Sequence, residues 1–258
     1  MTPDPTQRPL GQDDAPSEWD ARLPARWYAR GGRRILDWVL LAVLLPPALA
    51  VMVVVGLANL CVFRDPRQVF FSQPRIGWRG RPFRILKFRT MKETRDSAHG
   101  SWSSGKDHLR VTRFGRFLRN THLDELPQLI NVLRGEMGFI GPRPEMVEIE
   151  AWASQEIPGF GERLALRPGI TGQAQITQGY TGRDAEAYAE KSAINEAYVR
   201  DVSLWLDLRL VVGTVAWMLR GKGWDWKPAP SIEPADGATE SDAQVESSSS
   251  TSDARKAG

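Results

Sequence analysis

The sequence predicts an α+β, mostly helical protein: one compact domain around a small β-hairpin, held at a membrane by an apolar N-terminal helix. Three observations carry this prediction. Residues 38–60 carry no charged side chain, a run long enough to cross a bilayer at about 1.5 Å per helical residue. "QVFFSQ" and "RPFRILKF" are rich in aromatic and β-branched residues and flank the turn-like "PRIGWRG", the pattern of a hairpin. The later stretches alternate apolar and polar residues with a helical period.

The apolar run, "ILDWVLLAVLLPPALAVMVVVGLANLCVF", starts too late and runs too long for a cleaved leader. Pro46 and Pro47 fall near its middle, where each ring removes a helical hydrogen bond. Arginines flank it on both sides: Arg22, Arg26, Arg30, Arg33 and Arg34 before, Arg64, Arg67, Arg75, Arg79, Arg81 and Arg84 after. Basic flanks stay in the cytoplasm, so two of them suit a segment that enters and leaves by one face, turning at Pro46-Pro47. On these residues alone, a spanning helix and such a hairpin are both open.

"RFGRFLRN" reads as a short basic helix. Pro127 to Arg134 reads as another, with Leu129, Ile130 and Leu133 inward and Gly135 at its end. "MVEIEAWASQ" and "RDAEAYAEKSAINEAYVRD" are further helices. "SLWLDLRLVVGTVAWMLRGKGW" places Leu204, Leu208, Val211, Val215 and Leu219 on one stripe, with Trp205, Trp217, Trp224 and Trp226 around it. That stripe suits a core-facing helix or one lying in the membrane interface. "SAHGSWSSGKD" (97–107) reads as a polar loop.

The chain carries a formal charge of +3, but its two ends are acidic. Residues 21–232 hold 31 Lys and Arg against 20 Asp and Glu, a net of +11. Such a surplus suits a polyanionic partner: nucleic acid, anionic lipid or a nucleotide. Cys61 is the single cysteine, which excludes an internal disulfide and a cysteine-based zinc cluster. His99, His108 and His122 lack a metal-binding spacing. There is no GxxxxGK[ST] and no GxGxxG, so neither a P-loop nor a Rossmann nucleotide site is present.

The candidate chemistry centres on "THLDELPQLINVLRGEMGFIGPRPE" (121–145). Asp124 and Glu125 stand side by side at the mouth of the second short helix, where amide dipoles favour their ionised forms. The pair suits Mg²⁺, a hard cation that takes oxygen ligands and bridges to phosphate, and an ionised Asp is a competent nucleophile. Lys87 and Arg89 in "KFRTM", Arg119, Arg143 between two prolines in "GPRP", and Arg167 in "LRPGITGQAQI" are cations in stiff settings. Arginine forks match phosphate oxygens.

"KFRTM", "RFGRFLRNTHLDELPQLINVLRGEMGFIGPRPE" and "RPGITGQAQ", in this order and spacing between Arg33 and Arg220, closely resemble the bacterial sugar transferase family, the monotopic phosphoglycosyl transferases. The resemblance implies transfer of a sugar-1-phosphate from a nucleotide diphosphate sugar, usually a UDP-sugar, to polyprenol phosphate. It also implies Mg²⁺ and a re-entrant N-terminal helix, so the architecture becomes α+β with a re-entrant membrane helix and interfacial amphipathic helices. Carried onto this chain, Asp124 would attack the sugar-bearing phosphate, expel UMP and hold an aspartyl phospho-sugar. Glu125 would help hold the metal, and Lys87, Arg89, Arg119, Arg143 and Arg167 would lie around the phosphates.

The expected organisation is a disordered tail (1–25), a basic flank and membrane helix (26–63), a catalytic domain (64–227) and an acidic Ser-rich tail (228–258). The expected place is the cytoplasmic face of a bacterial inner membrane. The expected partners are a nucleotide sugar, polyprenol phosphate and membrane lipids, with no nucleic acid; a homodimer is left open. The alternative is a membrane-anchored binding module or scaffold without turnover. Three departures from the family pattern stand out: Pro46-Pro47 where Ser-Pro is common, Glu136 where Asp is common, and Gln173 where Trp is common.

Overall fold

In a computed structural model of the chain, the described residues are 19, 23–24, 27–92, 110–178 and 184–220. Most of the N-terminal tail, the C-terminal tail, the 97–107 loop, Trp224 and Trp226 lie outside them; Leu23 of the N-terminal tail is buried in the main core with Trp19 against it. The order is α1 (Arg33–Phe63), β1 (Phe70–Ile76), β2 (Pro82–Phe88), α2 (Arg113–Thr121), α3 (Gln128–Leu133), β3 (Gly138–Ile140), α4 (Val147–Glu156), β4 (Gly169–Thr171), α5 (Gln173–Thr177), α6 (Ala185–Asp201) and α7 (Leu204–Leu219), with short 3₁₀ turns between. β1 and β2 form the expected hairpin, antiparallel from Phe70↔Phe88 to Ile76↔Pro82. β3 and β4 pair in parallel, Gly138 with Gly169 and Ile140 with Thr171.

α1 docks on the domain along one stripe. Asp37, Leu41, Ala48, Val55 and Asn59 are its buried residues, at intervals of four and seven that keep one helical face inward. Asp37 Oδ1 accepts the Phe139 backbone N–H at 2.9 Å. Leu41 and Ala48 join the main core with Ile140, Tyr198 and Leu210, whereas Val55 joins a second cluster with Val69, Phe88 and Leu118. Asn59 Nδ2 donates to the carbonyls of Val69 and Arg89, each at 3.0 Å. Arg33 at the other end bonds Asp207, the Ile140 carbonyl and the Tyr198 hydroxyl. The contacts span residues 33 to 59, about 39 Å of helix. The opposite face, including Ile35, Val39, Val43, Val53, Val54 and Leu57, is exposed and apolar.

Pro46 and Pro47 lie inside this helix, whose backbone is helical on both sides of them. They leave the Ala42 and Val43 carbonyls without their i+4 donors. The pair is therefore a weak point within a continuous helix rather than an interruption of it.

Polar residues set the inward faces of α3 and α7, and the face expected for α3 is rotated. Leu133 of α3 is 49% exposed, while Gln128, Leu129, Asn131 and Val132 face inward. The cause is polar: Asn131 accepts from Leu86 N–H at 3.1 Å and donates to the Arg84 carbonyl at 2.9 Å, stitching α3 to β2. In α7 the buried residues are Asp207 and Leu210. Of the stripe left open between the core and the membrane interface, Leu204, Leu208, Val215 and Leu219 are exposed. Asp207 sets the inward face, because it accepts from Tyr28, Arg33 and Tyr198 at 2.6–3.1 Å, and a buried carboxylate needs such partners.

Candidate active site

The acidic pair lies in a 3₁₀ turn just ahead of α3. α2 ends on His122, whose left-handed backbone (φ 56°) reverses the chain into a 3₁₀ turn, Leu123–Glu125, ahead of α3. The Glu125 N–H donates to the His122 carbonyl at 3.1 Å, fixing that turn. His122 in turn stands against the Trp217 ring of α7, 5.3 Å between centroids.

Glu125 Oε1 accepts from Lys87 Nζ at 2.6 Å and from Arg143 Nη2 at 3.1 Å. Lys87 comes from β2 and Arg143 from the segment after β3, so three distant pieces of chain meet on one oxygen. Oε2 carries no hydrogen bond among the described residues. Asp124, beside it, is buried. The two carboxyls are pushed apart. Burial raises Asp124 to about 6, against the opposing pull of Lys87, with Glu125 adding to the rise. Burial also acts to raise Glu125, but Lys87 and Arg143 overcome it and hold this group well below the ordinary carboxylate range. Adjacent carboxyls with separated proton affinities suit different roles.

The GPRP segment is placed by close backbone packing. Gly141 N–H donates to the Thr171 carbonyl at 2.8 Å and Gly169 N–H to the Pro142 carbonyl at 3.0 Å. A Cβ on Gly141 would strike the Arg167 carbonyl and Gly169 N; one on Gly169 would strike Gly141 N. On its other side the segment is clasped by β1, through Ile76 N–H to the Glu145 carbonyl at 3.0 Å and the Arg75↔Met146 bridge.

The remaining expected cations divide. Arg119 Nε donates to Thr90 Oγ1 at 2.9 Å, and its charge reaches Asp124. Arg89 follows β2 directly, its backbone carbonyl held by Asn59. Arg167 is held elsewhere: Nε donates to the Gly135 carbonyl at 3.1 Å and the guanidinium lies 4.1 Å from the Trp78 ring centroid. Its proline frame marks a crossing of two backbones, and its charged neighbours are Arg34, Asp37, Arg33 and Arg79.

Glu125 and Arg143 stand in the wall of a cavity of about 980 Å³. Leu40, Leu44, Pro47, Ala48 and Val51 of α1 and Val211, Val215 and Met218 of α7 give it an apolar side. Arg75, His122, Glu145, Gln175 and Lys191 give it a charged and polar side. Sequence reasoning did not single out Arg75, Glu145 or Lys191 as site residues. Lys191 Nζ donates to Glu145 Oε1 at 2.6 Å, and this pair is buried. Position on the inner face of a helical pattern was the available signal for Lys191, since a cation there needs a partner.

Among the described residues no group of three or more His, Cys, Asp or Glu gathers to hold a metal. Asp124 and Glu125 nevertheless fit Mg²⁺, which is commonly held by one or two carboxylates plus substrate phosphates, and Glu125 Oε2 is available to it.

A family model described as bacterial sugar transferase matches residues 28–221. The chain belongs to this family. Relatives of this sugar transferase include a UDP-N-acetylgalactosamine-undecaprenyl-phosphate N-acetylgalactosaminephosphotransferase from Aeromonas hydrophila, 38% identical over 78% of this chain and 46% of that protein. A UDP-glucose:undecaprenyl-phosphate glucose-1-phosphate transferase from Caulobacter vibrioides is 39% identical over 72% of this chain and 69% of that protein. The exopolysaccharide production protein ExoY of Sinorhizobium fredii is 35% identical over 81% and 93%. The chain thus spans about half the length of the Aeromonas relative.

Proposed function

We propose that this sugar transferase is a phosphoglycosyl transferase. It moves a sugar-1-phosphate from a UDP-sugar to polyprenol phosphate at the cytoplasmic face of a bacterial inner membrane, as a first membrane step of glycan assembly. The observation that carries this is the two-sided cavity: the dyad's Glu125 and Arg143 on one side, the membrane helix on the other. A phosphate on a long isoprenoid chain needs both.

In the reaction, the Asp124 carboxylate forms a bond to the sugar-bearing phosphorus, and the bond from that phosphorus to UMP breaks, UMP leaving with the electron pair. A phosphate oxygen of polyprenol phosphate then attacks the same phosphorus and frees Asp124, giving the polyprenyl diphosphate sugar. Two displacements replace one. Lys87 and Arg143 fix Glu125 in its ionised form and supply positive charge beside the diphosphate, with Arg119 on the Asp124 side. Asp124 and Glu125 would hold Mg²⁺, which would neutralise developing phosphoryl charge.

In this reading the helix enters and leaves by the same face, bending at the weak point that Pro46 and Pro47 make in it. Its stripe from Asp37 to Asn59 is occupied by the domain throughout, its outer face is apolar, and basic flanks stand at both ends. The exposed Leu204, Trp205, Val212, Val215 and Leu219 of α7 suit a helix lying in the interface.

The test is UMP release by the purified protein in nanodiscs, with undecaprenyl phosphate, a panel of UDP-sugars, and Mg²⁺ or a chelator. Mg²⁺-dependent release from one donor, abolished by Asp124→Asn, is expected. Absence of release from every nucleotide sugar, in protein shown to be folded, overturns the reading.

A further inference from the structure

The cavity wall contains a cation that the dyad does not use. Arg75 lies at the end of β1, half-buried, and forms no ion pair among the described residues. Its two terminal nitrogens donate to neutral oxygens: Nη1 to the Pro144 carbonyl at 3.2 Å and Nη2 to Gln73 Oε1 at 2.8 Å. Its Nε–H is buried with no partner. The carboxylates nearby are matched already, Glu125 by Lys87 and Arg143, Glu145 by Lys191. Arg75 is therefore the surplus positive charge of this wall. Burial, reinforced by Arg143, pushes its guanidinium down to about 10. A desolvated cation facing a cavity without a counter-ion is a receptor for an anion.

Its position selects the anion. Lys87 is not part of the cavity wall; Arg75 is, and that wall includes the apolar faces of α1 and α7. The Pro144 bond, the Ile76–Glu145 bond and the Arg75↔Met146 bridge fasten Arg75 to the Arg143 segment. An anion at Arg75 would share one cavity with Arg143 and with the apolar faces of α1 and α7.

We infer that Arg75 is the binding residue for the phosphate monoester of the isoprenoid acceptor, a subsite separate from the one that holds the donor's diphosphate. This rests on the transferase reading above and makes the two substrates separable by mutation.

The two half-reactions test it. Arg75→Gln and Arg75→Lys are placed in phosphatidylcholine nanodiscs, free of anionic lipid. Without acceptor, UMP release gives a burst that counts competent donor sites; added undecaprenyl phosphate then reads the second step. Both variants are expected to keep the wild-type burst within about twofold. The KM for undecaprenyl phosphate should rise about 10- to 100-fold in Arg75→Gln, as for a lost charged hydrogen bond, and less in Arg75→Lys. Farnesyl phosphate should compete with the acceptor in the wild type, and farnesol should not. If Arg75→Gln loses the burst by misfolding, Arg75→Lys decides, a raised acceptor KM with full burst supporting the subsite. An unchanged acceptor KM overturns it, as does a burst or UDP-sugar KM that worsens in step, which would put Arg75 in the donor site. Equal competition by phosphatidylglycerol overturns it too, since the site would then hold lipid phosphates in general. Failure of the wild type to release UMP from any nucleotide sugar instead overturns the transferase reading itself.

Discussion

Lys87 and Arg143, 56 residues apart in the chain, donate to the same oxygen, Glu125 Oε1, at 2.6 and 3.1 Å. This shared acceptor holds the Glu125 carboxyl down while its neighbour Asp124 is held up. Replacing Lys87 by Met removes the shorter bond and leaves a buried carboxylate with one partner. UMP release by Lys87→Met should fall about 100-fold or more, the scale of losing one positioned electrostatic group. Lys87→Arg should retain more. Single-turnover kinetics at saturating UDP-sugar would show it; a rate within threefold of wild type would mean the bond is structural only.

Asp124 is expected to weaken the fold it serves. Its folded proton affinity is raised from 3.8 to about 6. The stability linked to this group is therefore present below pH 3.8 and lost as pH rises through 6, about 3 kcal/mol in full. Asp124→Asn does not titrate. It should unfold several degrees higher than wild type at pH 7.5 in chelated buffer, an advantage that fades as pH falls toward 4. Thermal unfolding across that range checks the sign, and a variant less stable than wild type at pH 7.5 would contradict it.

Asn59 is fully buried and holds two backbone carbonyls from different loops. Asn59→Ala removes one donor from each of the Val69 and Arg89 carbonyls, the Val69 oxygen keeping the Arg89 N–H at 3.1 Å, a cost of about 1–2 kcal/mol. Chemical denaturation in detergent should show this loss, with Lys87 chemistry weakened as well, because Arg89 follows the strand that carries it.

Topology has its own readout. Arg30 and Arg67 are exposed residues at opposite ends of α1. In a Cys61→Ser background, Arg30→Cys and Arg67→Cys should both react with an impermeant maleimide in inside-out vesicles and neither in spheroplasts. Opposite labelling of the two would establish a spanning helix.

Much of the fold is legible from local pattern. The hairpin, α2, α4, α6 and α7 follow from alternation and helical period, and the adjacency of Asp124 and Glu125 marks the dyad. The turn that aims them was less visible, because it depends on His122 adopting a left-handed backbone rather than on a glycine. The β3–β4 pairing escaped for another reason. Each strand has three residues, and the signal is mutual clearance between Gly141 and Gly169, which only the packed structure brings together. The proline beside Arg167 resembles the frame of Arg143 and in the structure stands at a backbone crossing. Arg75 was hidden inside a segment read as a turn. In α1, apolar residues on every side conceal the docking face. Asp37 and Asn59 were the clue, since polar side chains in an apolar helix need partners.

The depth to which α1 enters the domain has a consequence for the life of this protein. Leu41 and Ala48 belong to the same core as Ile140, Tyr198 and Leu210. The helix shares the core of the domain, so a protease cutting near residue 64 would not liberate a working enzyme. It would leave a domain with a furrow where part of its interior had been. Docking of α1 and completion of the native core are one event, and a chain cut from its helix is an unfinished protein.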